Sequence, residues 1–145
     1  MYFCCSIMTL VGRWLLSAIF LICGVFKIVN FEAISKDMAA HGLTYTPALL
    51  VIAIIIEMIG AFSLIFGWKA RWASFVLFLY LIPVTYVYHN FWSVGDALEQ
   101  QTQFINFFRN AAIMGGLLLM IGNGPGGCSV DSRGCRRKSH NNLPE

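Results

Sequence analysis

Charge is what this sequence has least of. Only 12% of its 145 residues are Asp, Glu, Lys or Arg, against roughly 25% in an average soluble domain. Apolar residues make up 58%, and mean hydropathy is +0.70. A chain this short has too much surface for its volume to hide that apolar area from water in one core. The composition excludes a soluble enzyme, a disordered linker and a nucleic-acid binder, and it leaves an integral membrane protein. Chemical motifs are missing as well. There is no G-x-G-x-x-G, P-loop or G-x-S-x-G, and no carboxylate pair, so no self-contained catalytic machinery is expected. His41, His89 and His140 lack the spacing of zinc or haem ligands, and no metal site is expected. The five cysteines are an odd number without a C-x-x-C pair. Cys4 and Cys5 are adjacent, Cys23 lies in an apolar run as a small hydrophobe, and Cys128 and Cys135 fall in the tail, which is no disulfide framework.

What is present is four apolar runs, each near the roughly 20 residues that a bilayer core requires. They cover residues 11–29, 47–66, 72–88 and 104–122. The first has no small-x-small cleavage site, and Lys27 follows it, so it reads as a retained helix and not as a signal peptide. The expected fold class is all-α, a transmembrane four-helix bundle. Residues 1–10 form an N-terminal segment, 11–124 the membrane domain and 125–145 a basic tail.

Four spans put the N-terminus, the turn Gly67–Arg71 and the tail on one side. That side holds Arg13, Lys69, Arg71, Arg133, Arg136, Arg137 and Lys138, while the other holds Lys27, Lys36 and Arg109. The excess of basic residues places both termini in the cytoplasm, with the tail cluster beside anionic lipid. Between the first two spans, residues 30–46 read as a short interfacial helix. Asn30 is its N-cap, Phe31, Ile34 and Met38 share one face, and Gly42 ends it. Tyr86, Tyr88, Phe91 and Trp92 form an aromatic belt at the outer surface. Ala111/Gly115 and Ala112/Gly116 are small-xxx-small pairs suited to close helix approach, within the bundle or between two copies. Pro83 removes a backbone donor inside the third span.

A charge at the centre of a spanning helix costs about 2.5–3.5 kcal/mol on insertion scales, so each needs a reason. Arg13 lies near a helix end and is expected to snorkel outward. Glu57 falls mid-span, where a carboxylate must be protonated, paired or facing a wet cavity. Lys27 ends the first span, His89 ends the third and Arg109 begins the fourth, with Asn110 and Thr85 in the same outer layer. These residues predict a polar pocket opening outward, floored by Glu57 and lined by Lys27, His89, Arg109 and Asn110. Glu57 and His89 are its proton-relay candidates. The competing reading is an ion-pair network that fixes helix register and binds nothing. His41 reads as a surface residue.

In segments and in order, the chain resembles the DoxX family of small four-helix membrane proteins. The resemblance lies in Arg13 opening the first helix and Ser-Ala-Ile-Phe-Leu-Ile-Cys-Gly-Val-Phe-Lys closing it at Lys27. It continues through Glu57-Met-Ile-Gly-Ala, Gly67, Arg71 and His89-Asn-Phe-Trp92. Last come Arg109-Asn110-Ala-Ala, Gly115-Gly116-Leu-Leu-Leu and Gly124-Pro-Gly followed by Ser129-Val-Asp131. It covers about residues 11–131, leaving the ends of the chain outside it. The family pattern has Lys where this chain has Arg109, which keeps the charge. The resemblance implies the four-helix fold and a multi-pass location in a bacterial inner (cytoplasmic) membrane. It also implies a link to membrane redox systems, since some relatives belong to quinone-linked oxidoreductases, including a thiosulfate:quinone oxidoreductase.

Two functions follow from these readings. The leading one is a non-catalytic scaffold or lipophile-binding membrane component with a polar intramembrane pocket. The alternative is the membrane subunit of a quinone-linked oxidoreductase, with quinone in the pocket and electrons supplied by a redox partner subunit. The lipid bilayer is the first partner, a second copy of the chain another, and nucleic acid none. Four spans without an internal repeat argue against a transporter.

Overall fold

All four apolar runs are helical in the computed structural model, which describes residues 2–93, 95–126 and 129. The elements are α1 (Tyr2–Val29), α2 (Phe31–Ala40), α3 (Thr46–Phe66), α4 (Ala70–Tyr88) and α5 (Ala97–Asn123), with a single 3-10 turn at Phe91–Ser93 before α5. No strand occurs among the described residues. Helices α1, α3, α4 and α5 are each long and apolar enough to cross a bilayer. The chain is an all-α, multi-pass integral membrane protein. The tail residues Cys128, Arg133, Cys135, Arg136, Arg137 and Lys138 lie outside the described residues.

Two helices start earlier than the apolar runs. Helix α1 is already helical at Tyr2, with its spanning segment at Ile7–Val29. Helix α5 begins at Ala97 and not near 104, because Asp96 caps it: its side chain accepts from the Glu99 N–H at 3.1 Å. A polar first turn, Leu98-Glu-Gln-Gln, carries no hydropathy signal, yet the cap and the acid beside the positive helix end favour it. Helix α2 stands where the sequence suggested, separated from α1 by Asn30 alone. Asn30 makes no side-chain cap; its Nδ2 donates back to the Phe26 carbonyl at 3.0 Å. Gly42, at φ +80°, ends the segment.

Each spanning helix buries one stripe. On α1 the stripe is Arg13, Ser17, Phe20 and Gly24, spaced four, three and four residues apart, as one face of an α-helix requires. On α4 it is Ala70, Ser74, Leu77, Leu81 and Thr85. Helix α1 packs mainly on α3, α3 on α4 and α4 on α5, while α1 and α5 meet over much less. The dense core joins Phe20, Ala61, Leu64, Leu77, Leu117 and Met120. It occupies the half of the bundle nearest the Gly67 turn. Gly60 sets the α3–α4 distance, since a Cβ there would come within 2.7 Å of Leu77 Cγ. Of the small residues on α5, Gly116 faces Leu16 of α1, whereas a Cβ on Gly115 would meet nothing within 4 Å.

Arginines fasten that end. Arg13 does not snorkel: it is 2% exposed, donating from Nη1 to the Pro125 carbonyl at 2.8 Å and from Nη2 to the Ile65 carbonyl at 3.2 Å. It thereby satisfies backbone acceptors at the end of α3 and past the end of α5. Arg71 donates to the Gly122 carbonyl at 3.3 Å. The turn itself is tight, with Gly67 at φ +66° and Lys69 at φ +48°. Trp14, Trp68 and Trp72 are exposed at this end, and Tyr86 and Trp92 at the other. Indoles and phenols at both ends of an apolar band are the pattern of a membrane interface.

These contacts predict unequal glycines. A Cβ on Gly67 would lie 2.6 Å from Ser129 Cβ and 2.7 Å from Arg13 Nη1, in a left-handed conformation. Gly67→Ala should therefore cost at least about 1–2 kcal/mol and lower the detergent melting temperature by several degrees. Gly115→Ala should leave it unchanged or raise it. Melting curves of the two variants beside wild type check both.

Candidate functional site

Glu57 sits in the middle of α3 and is 3% exposed. A charge there must be paired, and it is: Lys27 Nζ donates to Glu57 Oε1 at 2.5 Å, and Tyr80 Oη donates to the same oxygen at 2.9 Å. Three helices thus meet on one carboxylate oxygen, α1 through Lys27, α3 through Glu57 and α4 through Tyr80. The backbone geometry that allows this is local. Gly24 precedes Lys27 by one turn on the buried stripe of α1, and a Cβ there would lie 2.9 Å from Met58 Sδ. The missing side chain lets α1 approach α3 closely enough for Lys27 to reach back to Glu57. Removing one partner of a buried pair leaves an uncompensated charge, whose cost is far larger than the net worth of the intact pair.

Beside the pair is an open cavity of about 430 Å³, bordered by the end of α1, by α2 and by the outer halves of α3 and α4. Its walls are largely aliphatic, from Ile34 and Met38 on α2, Leu50 and Ala53 on α3, and Pro83 and Val84 on α4. Lys27, Tyr80, Tyr88 and His89 supply its polar wall. Glu57 stands behind Lys27 and Tyr80 without lining the cavity. His89 is held from outside, Nδ1 to Gln103 Oε1 at 2.8 Å. With the amide oxygen accepting, Nδ1 carries the proton and Nε2 remains an acceptor. Helix α2 is held along one side of the cavity by buried Met38 and by a 3.0 Å hydrogen bond between Ser35 Oγ and Thr46 Oγ1. The His41 ring rests 4.9 Å from that of Tyr88.

Of the residues singled out in the sequence, Lys27 and His89 line this cavity, and Glu57, expected as its floor, is buried behind Lys27. Arg109 and Asn110 do not. Because α5 begins at Ala97, Arg109 lies several turns into the helix, on its exposed side. Asn110 is buried elsewhere, donating from Nδ2 to Thr85 Oγ1 at 3.1 Å and so joining α5 to α4. Two participants carried weak signals. Tyr80 lies in a charge-free run and counts there as an apolar ring, although a buried phenol needs a partner for its hydroxyl. Gln103 falls where the sequence suggests a loop.

The DoxX family profile matches residues 8–90, from α1 past the end of α4. The chain belongs to the DoxX family. Among curated proteins it is 29% identical over 128 residues to the inner membrane protein YphA of Escherichia coli, covering 88% of this chain and 90% of that protein. It is 26% identical over 122 residues to the inner membrane protein YqjF of the same organism, covering 84% and 88%. A third relative is larger: the Surfeit locus protein 4 homologue of Schizosaccharomyces pombe, 31% identical over 80 residues, 54% of this chain but 26% of that protein. No solved structure shows a significant match. The DoxX match contains Lys27, Glu57, Tyr80 and His89, and so all the polar groups of the cavity and the carboxylate behind them.

If the pair holds the helices together, Lys27→Met should destabilise this DoxX protein by about 3–5 kcal/mol. Lys27→Met/Glu57→Gln, which removes both charges, should recover most of that loss. Thermal unfolding in detergent of the two singles and the double measures the coupling. Additive losses would show that Glu57 does not depend on Lys27.

Proposed function

We propose that this DoxX chain is a non-catalytic, lipophile-binding component of the cell inner membrane, with both termini in the cytoplasm. The observation that carries the reading is an aliphatic cavity whose polar wall groups, Lys27 and Tyr80, are anchored on a buried carboxylate. About 430 Å³ lies within the 300–1,000 Å³ typical of small-molecule sites. The membrane assignment is supported by the four spans and by two relatives named inner membrane proteins. The orientation is supported by Arg13, Lys69 and Arg71 at the end that holds the Gly67 turn.

The physics of such a site differs from that of a pocket in water. A hydrocarbon tail that moves from lipid into an aliphatic cavity leaves one apolar medium for another and gains little by burial. Retention of the molecule therefore depends on shape and on the polar groups that meet its head. A wall fixed by a carboxylate that also ties three helices is stiff, and it presents those groups without further ordering cost.

Mass spectrometry of the protein purified in mild detergent, beside Ala53→Trp, tests the proposal. Ala53 lines the cavity, and an indole there would fill much of it. Wild type should carry a defined lipophile near one per chain, and Ala53→Trp should lose it. Bulk lipid alone, equal in both samples, would refute the proposal. If the retained molecule is a quinone, the function becomes that of a membrane subunit in a quinone-linked oxidoreductase system, and a redox partner must supply the electrons.

A further inference from the structure

We infer that the cavity selects amphiphiles whose head presents a carbonyl-type oxygen, a carboxylate or a quinone-like ketone, to the Lys27 ammonium, and that it rejects cationic and purely hydrocarbon molecules. The inference rests on the cavity binding a lipophile and names the chemistry of that ligand.

Hydrogen-bond accounting at the wall leads to it. Lys27 is the charged group among the described residues that line the cavity. Its ammonium has three N–H donors, and one of them is spent on Glu57 Oε1. Two remain, on a side chain that is 21% exposed. Glu57 is 4% exposed at its side chain and does not line the cavity, so a ligand meets the cation before its counter-ion. Tyr80 donates its proton to the same carboxylate, leaving only oxygen lone pairs for a ligand. His89 has its Nδ1 engaged by Gln103 and, in the neutral tautomer with the proton on Nδ1, offers an acceptor at Nε2. Tyr88 also lines the cavity, and its hydroxyl adds a neutral donor; the charged donor of the wall is Lys27. An oxygen acceptor placed on it forms a charge-assisted hydrogen bond, roughly twice as strong as a neutral one. A cationic head would oppose Lys27 at close range. A plain hydrocarbon would leave the two donors as they are and gain only packing, which the surrounding lipid also offers.

The test uses the full chain in lipid nanodiscs and a set of single-chain probes: dodecanoate, decylbenzoquinone, dodecylammonium and dodecane. Affinity is read by native mass spectrometry and by thermal stabilisation. Dodecanoate, decylbenzoquinone or both should bind wild type, and Ala53→Trp should abolish that binding. Lys27→Met/Glu57→Gln, which removes the cation without leaving a lone buried carboxylate, should weaken it about tenfold or more, the loss of one charged hydrogen bond. Lys27→Arg, which keeps the donors, should retain it. Preference for dodecanoate would assign a fatty-acid-like ligand and preference for decylbenzoquinone a quinone-like one; each supports the inference. Dodecylammonium or dodecane binding as tightly as the oxygen-headed probes would overturn it while leaving lipophile binding intact. So would undiminished affinity in the double variant. If no probe binds wild type, the lipophile reading fails and the inference falls with it.

Discussion

A carboxylate in the middle of a membrane-spanning helix imposes the constraint on which the other features depend. Glu57 cannot reach bulk water from its place on α3, and of the ways to accommodate it the structure uses pairing with Lys27. For that to happen α1 must lie against α3 with nothing between them, which is what Gly24 permits. The phenol of Tyr80 then fixes α4 to the same oxygen. Helices in lipid gain little from burying apolar surface, because the alternative neighbour is also apolar. Arrangement is therefore decided by close packing and by a few polar ties. In this chain these are the Lys27–Glu57–Tyr80 cluster, the Asn110–Thr85 hydrogen bond and the two arginines that hold backbone carbonyls at the opposite end.

Those ties divide the bundle in two. Toward the Gly67 turn the stripes of all four spanning helices interlock around Leu64, Leu77 and Leu117, and Arg13 is buried among carbonyls. Toward the other end α2 packs on α3. The cavity beside it is the one that Lys27, Tyr80 and His89 share. The cluster lies at the boundary between the two halves and serves both. For the packed half it fixes register, and for the open half it supplies a stiff polar wall. The ion-pair network and the pocket, which the sequence set against each other as alternatives, share the same side chains.

Much of this was legible in the residues. The four runs, the short helix after Asn30 and the tight turn at Gly67 follow from hydropathy, Gly placement and length. Glu57 and Lys27 stood out because charges inside apolar runs are rare. What escaped did so for physical reasons. Helix α5 starts in a polar segment, so hydropathy was blind to its first turns, and Asp96 was the signal. The misplaced start in turn made Arg109 look like a rim residue, whereas the helix carries it to an exposed face. Arg13 was expected to reach outward because it sits near a helix end. It turned inward because backbone carbonyls there lacked donors. Tyr80 was hidden by its apolar ring, and Gln103 by its distance in sequence from His89.

The central claim is that Lys27 and Glu57 are in contact within the bilayer, and one measurement bears on it directly. Among the described residues this is the one lysine–carboxylate ion pair. Solid-state NMR of the protein in lipid bilayers, with ¹⁵N at the lysine Nζ and ¹³C at the glutamate Cδ, should therefore show a strong nitrogen–carbon dipolar coupling between Lys27 and Glu57. It should vanish in Glu57→Gln. A spectrum without a contact-range coupling, or one unchanged by Glu57→Gln, would contradict the account.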